Sequence, residues 1–123
     1  MDTATLVDEQ IEDGQQFIDV LKQSGFDIVA AFWAHTSEEG LWFLYIASHV
    51  IDNDGLAVAY RRAYSALAQS QVRWVSRSDI KLIGTRNPIA NDAVTYRSNR
   101  LITRFHGRKL GNLTVEDAVI YPQ

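Results

Sequence analysis

At 123 residues and 46% hydrophobic, the chain is sized for a single domain spanning residues 1–123, with one substantial core. The absence of cysteine excludes a disulfide framework, a thiolate zinc site and a thiol nucleophile. Charge is divided unevenly: residues 1–60 hold one base, Lys22, and eleven acids, whereas residues 61–123 hold eleven bases and four acids, within a net charge of −3. A basic half attracts acids and phosphates that an acidic half repels, so this asymmetry bears on partners rather than on fold.

Thr5-Leu6-Val7-Asp8 has a capping pattern, with Thr5 as side-chain acceptor and Asp8 suited to the positive end of a helix. Val7, Ile11, Gly14, Ile18 and Leu21 then recur at steps of four and three, which predicts a helix that stops near Gly25. Gly14 costs such a helix about 1 kcal/mol relative to alanine, unless another element approaches closely there. Residues 27–36 and 41–50 are aliphatic and aromatic, and Ser37-Glu38-Glu39-Gly40 between them reads as a hairpin turn. Both strands are apolar on both faces, which places them centrally in a sheet. Their cover comes either from two layers of this chain or from one layer and a second subunit.

Asp52-Asn53-Asp54-Gly55 breaks the second strand and caps a helix with the stripe Leu56, Tyr60, Ala63 and Leu67. Residues 69–78 read as a loop and residues 79–84 as a short strand. Asn87-Pro88 then provides the cap and first turn of a third helix, with Ile89, Ala93 and Tyr96 on its inner face. Residues 101–106 and 115–121 complete the pattern as two strands around a polar loop at 107–112. The order α-β-β-α-β-α-β-β lacks strict βαβ alternation. It predicts an α+β domain with a mostly antiparallel five-stranded sheet and helices mainly on one face.

The longest apolar runs, residues 28–34 and 41–47, fall far short of the roughly twenty residues that cross a bilayer, and the N-terminal residues are acidic where a signal peptide is basic. A cytoplasmic protein with no membrane partner is expected.

Arg97, Arg100, Arg104, His106, Arg108 and Lys109, interleaved with Tyr96 and Phe105, form the densest basic segment. Arg104 and His106 share a strand face, while Arg97 and Arg100 lie near the negative end of the preceding helix. Such groups can converge on a carboxylate, a phosphate or a nucleic-acid backbone; alternatively the acidic half neutralises them within the molecule or across a dimer. Trp33, Trp42, Phe43 and Tyr45 make the hairpin heavily aromatic. With helices mainly on one side, that hairpin favours a homo-oligomer formed through a sheet face.

Asp52 and Asp54 beside His49 lack the spacing of a calcium loop, because position 50 is valine and position 61 is arginine, and no metal is expected. A metal-dependent phosphodiesterase is assembled from Asp52, Asp54, Asp79 and Lys81 only if these groups converge. The turn register sets His35 opposite Trp42 and His49 opposite Ile28 on the other sheet face, so each histidine reads as a single packed or hydrogen-bonded side chain. No serine sits in a glycine-flanked elbow, no phosphate-binding glycine motif occurs, and no cofactor is expected.

Ala30-Ala31-Phe32-Trp33, Trp42-Phe43-Leu44-Tyr45-Ile46-Ala47-Ser48, Asp54-Gly55 and Ala59-Tyr60-Arg61-Arg62 resemble a family of small bacterial proteins with no assigned activity. Arg104-Phe105 and Glu116-Asp117-Ala118-Val119-Ile120-Tyr121 continue the likeness. These are packing residues and turn signals, and the resemblance implies no catalytic residues. The chain therefore reads as a non-enzymatic binding or accessory protein whose basic half meets an acidic partner. A nucleic-acid-binding protein is the first alternative and a metal-dependent nuclease the second.

Overall fold

Ile11, Phe17, Ile18 and Leu21 are buried along one side of α1 (Asp8–Gln23), as their spacing requires. The computed structural model describes residues 6–36, 38 and 40–122, so the expected cap Thr5 lies outside the described residues. Gln10 Oε1 accepts the Val7 N–H at 3.2 Å and closes the first turn. The helix stops where Gly25 takes a φ of 87°. There the Phe26 N–H reaches Leu21 O at 3.0 Å and the Gly25 N–H reaches Lys22 O at 3.1 Å, the paired bonds of a Schellman cap.

β1 (Ala30–Thr36) and β2 (Trp42–Ala47) pair antiparallel with His35 opposite Trp42, as the turn length requires. β2 ends at Ala47, short of the predicted strand end at residue 50. Ser48 Oγ accepts the Val50 N–H at 3.1 Å and starts a short helix, α2 (His49–Asp54), so His49 is helical rather than paired with Ile28. Gly55, at φ 89°, redirects the chain into α3 (Leu56–Ser70), so one predicted helix is two. The inner face of α3 is also shifted: it buries Ala59, Ala63 and Ala66, while Leu56 is 52% exposed. These small side chains let the α3 backbone lie close to α1, with Tyr60 and Leu67 half-buried beside them.

A 3₁₀ turn (Arg77–Asp79) leads into β3 (Ile80–Ile83), which pairs parallel with β2. Parallel neighbours need a crossover, and α2 with α3 supplies it. Asn87 Oδ1 accepts the Ile89 N–H at 2.9 Å and caps α4 (Pro88–Tyr96), with Pro88 in the first turn as predicted. β4 (Thr103–Leu110) and β5 (Leu113–Ile120) run further toward each other than expected. The polar stretch read as a loop is strand, with Arg108 opposite Val115, Lys109 opposite Thr114 and Leu110 opposite Leu113. Burial of Leu110 and Val115 stabilises this extension, and Gly111 at φ 61° opens a two-residue hairpin loop.

The sheet has the order β3-β2-β1-β5-β4, all antiparallel except β2 with β3. The predicted α+β class, element order and mostly antiparallel five-stranded sheet are thus found. α1 and α3 cover one face over Ala31, Trp33, Leu44 and Ile46. The shorter α4 places Ala90 and Ala93 on the other, over Phe32, Tyr45, Ala118 and Ile120. β1 is buried at every position, so two layers of the same chain account for the two-sided apolar hairpin. Among the described residues, no helix is long and apolar enough to cross a membrane.

Gly14 lets the first layer close. The Trp33 indole N–H donates to Tyr121 Oη at 2.9 Å, and Tyr121 Oη donates to Ile11 O at 2.7 Å. A Cβ at Gly14 would stand 2.2 Å from Tyr121 Oη and 3.1 Å from Trp33 Nε1. Burial pushes the Tyr121 hydroxyl pKa up, keeping the proton that it donates to α1.

Candidate functional site

β4 is an edge strand, and it carries most of the basic segment. Arg97 does not join it: its guanidinium is half-buried and donates to Val29 O, tying the end of α4 to the start of β1. Arg108 lies over Tyr96 and Phe105, with Cζ 5.0 Å and 5.6 Å from the ring centroids. Arg100, Arg104 and Lys109 are exposed. Among the described residues, no Arg lies within ion-pair distance of a carboxylate; the ion pairs formed there involve His35, His49 and His106. The guanidinium groups of Arg62, Arg77 and Arg108 lie over aromatic rings, and that of Arg97 donates to a backbone carbonyl. Leu101, 73% exposed, and Ile102, 40% exposed, lead into the same strand.

Where β4 meets the rest of the sheet, four side chains stand abreast on four strands. Trp42 on β2 faces His35 on β1, His35 faces Asp117 on β5, and Asp117 faces His106 on β4. Neighbouring strands lie about 4.8 Å apart, so the row is continuous. His106 Nδ1 contacts Asp117 Oδ1, and the His35 and Trp42 rings are 5.5 Å apart. A bulge at Glu116 brings its Oε2 to 3.1 Å from His35 Nδ1. The pair is poorly aligned for a hydrogen bond: His35 Nδ1 and Trp42 Nε1 are both buried without a hydrogen-bond partner among the described residues. Arg104, two residues before His106 on the same face, joins Leu6, Trp42, His106 and Asp117 around a cavity of about 190 Å³.

The aromatic interface candidates divide. Trp33 is fully buried and Tyr45 is 4% exposed, so both belong to the core of this chain. Trp42 and Phe43 are half-buried; Trp42 lines the small cavity and Phe43 lies under Lys81, whose Nζ is 4.0 Å from the ring centroid.

The acids of the phosphodiesterase reading lie apart. Asp52 accepts the Thr85 N–H at 3.2 Å just beyond the end of β3, whereas Asp79 accepts the Ser76 N–H at 2.9 Å just before its start. A four-residue strand rises about 13 Å between them. Hydrogen bonds from Thr85 hold the Asp52 carboxyl below its ordinary pKa. No group of three or more metal-ligating side chains converges among the described residues.

At the same end of the sheet, Asp27 accepts from Ser48 Oγ at 3.0 Å and from the His49 N–H at 3.1 Å, and contacts His49 Nδ1 at 2.7 Å. Burial pushes the Asp27 carboxyl up, but the bonds from His49 and Ser48 outweigh it and leave the pKa lowered. A carboxyl lowered on folding stabilises the fold above the unfolded pKa, about 3.9, and loses that contribution as pH falls through the folded value. In urea titrations, the midpoint difference between wild type and Asp27→Asn is therefore expected to shrink as pH falls below about 4.

Of the transverse row and its neighbours, Trp42, His106 and the adjacent Arg104 were candidates from sequence; His35, Asp117 and the bulged Glu116 were not. Gly111-Asn112 was the available signal. A two-residue loop there sets Leu110 opposite Leu113 and, counting back, His106 opposite Asp117. Comparison with known proteins finds no matching family model, no matching curated protein and no matching solved structure.

Proposed function

We propose that this protein is a non-enzymatic binding protein that receives an extended acidic segment of a partner protein along β4. The observation that carries this reading is an outer strand whose Arg104, Arg108 and Lys109, with Arg100 just ahead of it, have no carboxylate partner among the described residues. An edge strand offers unpaired backbone groups to an added strand, and the charge selects which strand arrives. A second copy of β4 would oppose base with base, whereas a glutamate- or aspartate-rich segment meets complementary charge. Leu101 and Ile102 supply exposed apolar contact at the entrance, and Arg104 can direct a carboxylate toward the cavity beside Trp42. A nucleic-acid backbone would use the charge but not the strand edge, which favours the peptide.

Fluorescence anisotropy with a labelled glutamate-rich decapeptide at low salt tests this. Saturable binding that weakens as salt rises is expected. Exposed charge pairs contribute up to about 1 kcal/mol each, so Arg104→Glu combined with Lys109→Glu is expected to weaken affinity about tenfold or more. The reading is overturned if tens of micromolar protein leaves the peptide free, or if a single-stranded oligonucleotide binds more tightly at equal salt.

A further inference from the structure

We propose that a second site, the groove along α3, binds a small amphipathic carboxylate, with its acidic head on Arg61 and Arg77 and its tail against Leu67, Ala68, Val72 and Val75. Gln71, a non-glycine residue at φ 58°, turns the chain at the end of α3, and residues 72–78 form the opposite wall of the groove. The space between is about 960 Å³ and open to solvent, at the upper end of the range for small-molecule clefts, about 300–1,000 Å³.

The walls are divided by character. On α3, Arg61, Tyr64, Ser65 and Ala68 follow at helical steps of three and four and share a face. The Arg77 guanidinium rests on the Tyr64 ring, with Cζ 4.5 Å from its centroid, which brings it to the helical turn next to Arg61. Arg61 and Arg77 are the cations among the groove's lining residues. Ala68 lies about 10 Å further along the helix axis, beside the half-buried Leu67 and Val72 and the buried Val75.

Among the described residues, no acid lines the groove. Asp79, close by in sequence, accepts both the Ser76 N–H at 2.9 Å and Ser76 Oγ at 3.1 Å. A neutral apolar molecule would leave both guanidinium groups unused, and a compact polar anion would leave the apolar wall wet. A carboxylate with an alkyl or aryl tail satisfies both ends. The groove lies on elements separate from β4, so its occupancy stands independently of the partner proposed there.

Isothermal titration with decanoate, decyltrimethylammonium and acetate tests the assignment. Decanoate is expected to bind saturably at one site, and the other two at least tenfold more weakly. Arg61→Ala and Arg77→Ala are each expected to weaken decanoate at least fivefold, and Arg77→Lys to retain most of the affinity. Ala68→Trp, at an exposed position, places an indole against the apolar wall and should block the tail and abolish binding with an unchanged melting temperature, so the test holds even where an arginine variant folds poorly. Equal affinity for decanoate and decyltrimethylammonium overturns the proposal, as does the absence of saturable binding. Binding to phosphatidylglycerol vesicles without binding to free decanoate also overturns it, by assigning the groove to a lipid surface.

Discussion

Gly14→Ala is expected to destabilise the protein by about 2–4 kcal/mol, although alanine in a helix ordinarily stabilises by about 1 kcal/mol over glycine. The added Cβ would stand 2.2 Å from Tyr121 Oη. Moving the hydroxyl away breaks its bond to Ile11 O and removes the acceptor of the Trp33 indole N–H, both in the interior. A buried donor left without a partner costs about 1–3 kcal/mol, and overpacking adds about 1–3 kcal/mol. Urea denaturation of the single variant measures the loss. The Tyr121→Phe background identifies its cause, because without the hydroxyl the tightest remaining contacts of the Cβ are 3.1 Å to Trp33 Nε1 and 3.2 Å to the ring carbon Cζ, and Gly14→Ala should cost much less there. A cost of the same size in both backgrounds would remove Tyr121 from the explanation.

Gly111→Ala is expected to cost about 2–3 kcal/mol, from two sources. Its φ of 61° lies in the left-handed region, where an L-residue with a side chain loses about 1–2 kcal/mol. In addition, a Cβ there would stand 2.8 Å from Ile89 N and 3.0 Å from Pro88 C, against the backbone at the start of α4. The same junction holds the Gly111 N–H on Asp92 Oδ2 at 2.6 Å, so a displaced loop also forfeits a charge-assisted bond. Gly107→Ala is the control. Gly107 has nearly the same φ, 64°, but nothing within 4 Å of its Cβ position, so it should show the conformational cost alone. Equal thermal shifts for the two variants would mean that contact with α4 contributes nothing.

What was legible in the sequence was local. Gly25 and Asn87-Pro88 each act within a few residues, and each has the predicted role in the structure, while residues 37 and 39 of the predicted hairpin turn lie outside the described residues. The β1–β2 register also followed from turn length alone. The reason for Gly14 was not legible, because the group that needs its missing side chain is Tyr121, from the far end of the chain. Leu56 looked like a core residue because periodicity fixes spacing but not phase; only the approach of α1 selects Ala59, Ala63 and Ala66. Arg108 and Lys109 looked like loop residues because an edge strand tolerates polar side chains that a central strand does not. For the candidate site, composition revealed its charge but not its assembly. The row of Trp42, His35, Asp117 and His106 exists only because β5 lies between β1 and β4, an order that local patterns do not encode.

That order has a consequence for biosynthesis. The strand that seals the middle of the sheet is the last of the five to leave the ribosome. Until residues 113–120 emerge, β1 has only one neighbour and presents a bare apolar margin, and joining it to β5 requires closure of a long loop. Nascent chains stalled before residue 113 should therefore be sticky and dependent on chaperones, and the sheet should form by late insertion rather than strand by strand.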